Sequence, residues 1–114
     1  MRADGVLSLL GIAQKARKII SGQEAVERAV GSRKVFLVII SEDASENTRK
    51  KFFDLCDRHK VQVILWGKSG HLGKAIGKED RKVVGVADKG LAKEVLKRIN
   101  FLTGVGDIDK ASRV

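Results

Sequence analysis

Apolar residues recur along this chain in two periods, and the period changes at short polar breaks. Val6, Leu7, Leu9, Leu10, Ala13 and Ala16 recur at helical spacing, which predicts an amphipathic helix over residues 5–17. Ile19 and Ile20 predict a short strand closed by Ser21 and Gly22. From Gln23, the residues Val26, Ala29 and Val30 line one face of a second helix, which Gly31 ends. Val35 to Ile40 is an unbroken apolar run, the pattern of a strand buried on both faces. Ser45 fits the N-cap of a third helix reaching His59, with Thr48, Phe52, Leu55 and Cys56 facing inward.

The second half continues in the same way. Val61, Val63 and Leu65, alternating with Gln62, predict a strand that ends at Trp66. Ser69 is the expected cap of a short fourth helix through Leu72, Ala75 and Ile76, ended by Gly77. Lys78 to Lys82 forms a charged loop, Val83 to Val86 a further strand, and Leu91, Val95, Leu96 and Ile99 the face of a last helix. Helices alternating with strands predict an α/β layered sandwich with right-handed crossovers. No repeat, low-complexity tract or linker divides the chain. One domain is expected over residues 1–102, followed by a flexible tail over 103–114.

Charge changes this picture most. The 114 residues carry 23 Lys and Arg against 14 Asp and Glu, a formal net charge of +9. A folded domain this basic repels itself and is usually matched by a polyanion. Nucleic acid is the first candidate and an anionic membrane surface the second. Aromatic residues make up 4% of the chain, with no Tyr, which argues against stacking of successive bases on aromatic platforms. Backbone, shape and groove contacts should then dominate. Cys56 is the single cysteine, so no internal disulfide is possible, and no Cys/His cluster has zinc spacing. The N-terminus does not read as a signal peptide, and no apolar run approaches membrane-spanning length. A soluble, cytoplasmic protein is expected.

Several motifs have a plain structural reading. Gly73-Lys74-Ala75-Ile76-Gly77-Lys78 lacks the spacing and the hydroxyl that a phosphate loop needs. Gly70-His71-Leu72-Gly73 is a GxxG, but it follows a strand and does not join two helices as in a KH domain. His59 and His71 read as polar residues at helix ends, and Cys56 as core. Glu42 and Asp43 read as a loop before a helix, where negative charge suits the dipole. These residues yield no nucleophile–base pair, so no enzyme, cofactor or metal is expected. The informative constellation is Ser21-Gly22-Gln23-Glu24-Ala25-Val26-Glu27-Arg28. A strand ends, a glycine turns the chain, and a helix opens whose free N–H groups suit phosphate. Gln23 and Glu24 can reach base edges, and Arg28 lies one turn deeper on the face of Glu24. An ordinary capped helix with a surface ion pair would have the same spacing.

Over about residues 5–99 the chain resembles the L7Ae/L30e family of kink-turn-binding ribosomal proteins, most closely a bacterial branch of it. The resemblance is carried by Leu10-Gly11-Ile12-Ala13-Gln14-Lys15-Ala16, Ile20-Ser21-Gly22, Ser41-Glu42-Asp43-Ala44-Ser45 with Asn47-Thr48, and Leu72-Gly73-Lys74-Ala75-Ile76-Gly77. It implies a three-layer α-β-α sandwich with a mixed sheet of about four strands. It also implies binding to the kink-turn, a bent RNA helix with tandem sheared G·A pairs. Two segments would form the surface, matching Gly22 to Arg28 and about Lys78 to Val83. In the first, Glu24 stands where the family commonly has Asn, Ala25 where it has Glu, and Arg28 where it has Lys. The second is charged throughout, where apolar residues are frequent. The expected RNA contacts are Lys18, Gly22, Gln23, Glu24, Arg28, Lys78, Arg81 and Lys82. The expected partner is structured RNA, a kink-turn in ribosomal RNA, bound by a monomer that associates with the ribosome and not with a membrane. The alternatives are a protein-interaction adaptor of the same fold with weakened RNA binding and a small nucleotide-binding enzyme.

Overall fold

The computed structural model describes the backbone of residues 2–103 and the side chains of residues 5–102. Among them the order is α1 (Arg2–Lys15), β1 (Ile19–Ser21), α2 (Gln23–Gly31), β2 (Leu37–Ile40), α3 (Glu46–His59), β3 (Gln62–Leu65), α4 (Ser69–Ala75), β4 (Val83–Val86) and α5 (Lys89–Thr103). The strands form one mixed sheet in the order β1-β4-β2-β3. β4 runs antiparallel to both β1 and β2, and β2 and β3 are parallel. Most of the expected tail lies outside the described residues; Thr103 ends α5.

Strand alternation sorts the core into two layers. Leu37, Ile39, Val84 and Val86 face Val6 and Leu10 of α1, Leu72 of α4, and Val95 and Ile99 of α5. Val38, Ile40, Val63 and Val83 face Val26 and Val30 of α2 and Phe52, Leu55 and Cys56 of α3. The result is a three-layer α-β-α sandwich whose central strands, β2 and β4, are buried throughout. Burial pushes the Cys56 thiol up to about 12, so the thiol is packing and not a nucleophile.

Element ends differ from the sequence reading where tertiary contacts intervene. β2 begins at Leu37 and not Val35: the chain bends at the exposed Phe36, although its N–H already donates to the Val86 carbonyl, and Val35 tucks into the core. Thr48 is only half-buried, since its hydroxyl stays with the N-cap Ser45. α1 ends at Lys15, because Arg17 takes the left-handed conformation and closes the helix: its N–H donates to Gln14 and that of Lys18 to Ala13. Arg33 ends α2 and Lys60 ends α3 in the same bonding pattern. Such positions favour glycine, and a residue with a Cβ there loses about 1 kcal/mol or more.

Candidate nucleic-acid interface

The C-terminal ends of β1, β2 and β3 and the start of β4 lie at one end of the sheet. Each of the three parallel-facing ends feeds a helix, so α2, α3 and α4 all open there. Helix N-termini carry partial positive charge and unsatisfied N–H groups. Two of the three are already served. The Ser45 hydroxyl accepts from the Thr48 N–H and caps α3. At α4 the expected cap, Ser69, is instead the first helical residue, and Lys68 before it has no capping side chain. Asp43 caps from 26 residues away: one carboxylate oxygen accepts from the Ser69 N–H at 2.9 Å and the other from the Ser69 hydroxyl at 2.7 Å. These bonds, the Ser69 hydroxyl first and that of Ser41 next, hold the Asp43 carboxyl well below the usual carboxylate range.

α2 is different. Its N-cap is Gly22, at φ 94° and ψ 149°, which leaves the first-turn N–H groups with no capping side chain. A Cβ on Gly22 would have open space, so the backbone angle, not crowding, calls for glycine. The turn is pinned by the Gly22 N–H donating to the Val83 carbonyl, one residue beyond the end of the β1–β4 ladder.

The charged loop is brought to this turn by α4. Its chain doubles back along the helix: the Lys78 N–H donates to the Gly73 carbonyl, and the Arg81 N–H donates to the Ser69 carbonyl. Gly73 makes the approach possible, since a Cβ there would fall on the Glu79 carbonyl oxygen. The GxxG glycine thus serves the packing of loop on helix, not a ligand clamp. Arg81 ends beside the α2 turn, its Nε donating to the Ser21 hydroxyl at 3.3 Å and an Nη to the Asp80 carbonyl at 3.0 Å. Lys82 points elsewhere, with its ammonium 3.5 Å from the Ser69 hydroxyl and 3.9 Å from Asp43.

Of the expected contact residues, Gly22, Gln23, Glu24, Arg81 and Lys82 share this end, with Gln23 and Glu24 exposed in the first turn of α2. Arg28, also exposed, lies one helical turn further, about 6 Å along the axis from Glu24. Lys78 stands at the opposite end of α4 from Ser69, about 10 Å away along that helix. Lys18 does not belong to the cluster. It precedes β1 and its carbonyl pairs with the Ala87 N–H, beyond the far end of β4, so the whole of β1 separates it from Gly22. Lys18 is near Gly22 along the chain, but the four residue steps through β1 carry it about 13 Å away. Asp43 was missed as a positioning residue, because a cap reaching across 26 residues leaves no local signal.

Asp43→Ala is expected to cost about 1–2 kcal/mol, the loss of one helix cap, read by chemical denaturation. Because folding lowers this carboxyl below its ordinary 3.8, its contribution is full above that pH and is lost as pH falls below it. An Asp43→Asn variant should therefore show a shallower loss of stability from pH 4 downward than the unmodified protein. Parallel acid titrations would exclude the cap if they traced the same slope.

Comparison with known proteins fits this architecture. The family described as "Ribosomal protein L7Ae/L30e/S12e/Gadd45 family" matches residues 4–96. The RNA-binding protein YlxQ of Bacillus subtilis (strain 168) is 40% identical over 92 residues, 81% of this chain and 92% of that protein. The RNA-binding protein YlxQ of Enterococcus faecium is 34% identical over 93 residues, 82% of this chain and 89% of its own length. A solved structure of a protein with unknown function from Bacillus halodurans C superposes with a TM-score of 0.81 at 42% identity, covering 83% of this chain and 96% of that one. The Giardia lamblia 15.5kD RNA binding protein shares the fold at 19% identity, with a TM-score of 0.74 over 92% and 90% of the two chains. By family match and by relatives aligned over most of their length, the chain belongs to the family described as Ribosomal protein L7Ae/L30e/S12e/Gadd45.

Proposed function

We propose that this chain is an RNA-binding protein that recognises a kink-turn or similarly bent structured RNA, with ribosomal RNA as its target, and that it acts as a cytoplasmic monomer. The observation that supports this most is the uncapped N-terminus of α2 with the Arg81 guanidinium held beside it. Backbone N–H groups there donate to a phosphate, Arg81 adds a charge-assisted bond, and Gln23 and Glu24 reach base edges from the first turn. The bend supplies specificity by bringing a phosphate and an opened base edge to one helix end together, which a straight duplex does not. No helix among the described residues is long and apolar enough to cross a membrane. The names of the two YlxQ relatives support the RNA class of ligand.

The test is titration of the protein against a short kink-turn RNA and a straight duplex of equal length. Preference for the bent RNA is expected, with log K falling against log salt at a slope of roughly −3 to −5 for about four to six phosphates. Glu24→Asn removes a carboxylate beside the phosphates and should tighten kink-turn binding by about 1 kcal/mol. Equal affinity for both RNAs, unchanged by Glu24→Asn, would exclude the α2 turn as the recognition surface and favour the adaptor reading.

A further inference from the structure

The excess positive charge does not sit at the α2 end. Glu24, Asp43, Glu79 and Asp80 stand among the cations there. The opposite end of the sheet is where the cations are in clear excess. Three helices terminate at that end, and the residues that close them are Arg17, Arg33 and Lys60, each in the left-handed conformation at φ 60–62°. Lys18 and Lys34 follow the first two, and Lys89 opens α5 beyond β4. The sheet fixes their spacing. The Lys18 carbonyl accepts from Ala87, the Phe36 N–H donates to Val86, and Leu37 pairs with Gln62, so the four strand ends lie side by side. Three strand intervals set the row at about 14 Å across. Of the carboxylates nearby, Asp88 is engaged by the Leu91 N–H, and Asp57 lies one turn inside α3. No ion pair holds any of the six cations among the described residues.

A cation in a helix's last turn suits the dipole, and that alone would explain one such residue. It does not explain why the left-handed position itself, where glycine is the stable choice, carries a long basic side chain three times at the same end. We propose that this end is a second RNA surface. It is sequence-independent and takes the phosphate backbone of a straight duplex segment, separate from the bent element at the α2 end. Lys34 and Ser41 lie beyond the two ends of β2, a four-residue strand of about 13 Å, so the two surfaces stand at opposite ends of the sheet. The protein then bridges two RNA segments.

The fold supplies an unusually clean variant. Arg17→Gly, Arg33→Gly and Lys60→Gly together remove three cations and place glycine where the backbone prefers it, so Tm should hold or rise. Wild-type and triple variant are titrated, across salt, against a straight RNA duplex and a short kink-turn RNA that spans only one end. The expected result is a straight-duplex salt slope shallower by about 2 to 3, with short kink-turn affinity and slope unchanged. The proposal fails if the straight duplex shows no binding to wild-type, or the same slope with both proteins. It also fails if both RNAs lose slope together, which would mean that net charge alone acts. It fails equally if anionic phospholipid vesicles, and not duplex, bind in a manner that depends on these residues. A lack of preference for the bent RNA would count against the α2-end reading and leave the straight-duplex comparison intact.

Discussion

Gly73→Ala is expected to lose about 3 kcal/mol of folding stability and most of the RNA affinity. The added methyl would fall on the Glu79 carbonyl oxygen, and neither side of that contact is a flexible side chain. α4 is held by Leu72 in the core and by Asp43 at its N-terminus, so the loop must move. Overpacking of this kind costs about 1–3 kcal/mol where side chains yield, and more where backbone must. The loop also carries Arg81, whose N–H bond to Ser69 and side-chain bond to Ser21 depend on its path. Gly70→Ala is the matched control. It lies in the same helix, its Cβ would meet only the Asp80 carboxylate at an ordinary 3.5 Å, and alanine suits a helix better than glycine. Denaturation curves should leave Gly70→Ala at or near the unmodified stability. A Gly73→Ala loss below about 1 kcal/mol would mean that the loop is not seated on the helix as described.

Both glycines stand in the same GxxG, yet nothing local to the sequence separates them. What separates them is a contact with residues 79 and 80, made only once the chain has turned back at Gly77. The layer architecture was more legible. The unbroken run into Ile40 announces a central strand, and helical spacing at Val26, Ala29 and Val30 announces the face that covers it. The family resemblance, not the periodicity, supplied the mixed sheet: alternation of helix and strand fits a fully parallel sheet equally well. At the candidate site, local chemistry located the α2 turn, because strand end, glycine and helix start are consecutive. It could not tell which basic residues come to that turn. Lys18 is four residues away in sequence and at the opposite end of the sheet, whereas Arg81 is 60 residues from Ser21 and bonded to it.

That distinction separates two adjacent cations that sequence reasoning treated alike. Arg81→Ala is expected to weaken kink-turn RNA binding by about 1.5–3 kcal/mol, roughly 10- to 150-fold, the value of a charge-assisted bond to phosphate. Its guanidinium is held at the α2 turn by neutral partners, the Ser21 hydroxyl and the Asp80 carbonyl, so its charge is available to an incoming anion. Lys82→Ala should cost much less, below about 1 kcal/mol. Its ammonium leans on Asp43 and the Ser69 hydroxyl, and a half-exposed pair already matched to a carboxylate offers little net charge to RNA. Stability should respond weakly in both, because each side chain is partly exposed and Asp43 keeps its bonds to Ser69 without Lys82. Isothermal titrations of both variants against one kink-turn RNA, alongside their denaturation curves, decide the matter. Equal losses from the two variants would mean that the loop contributes charge without geometry. A larger loss from Lys82→Ala would move the RNA contact from the α2 turn to the Asp43–Ser69 corner of the same sheet end.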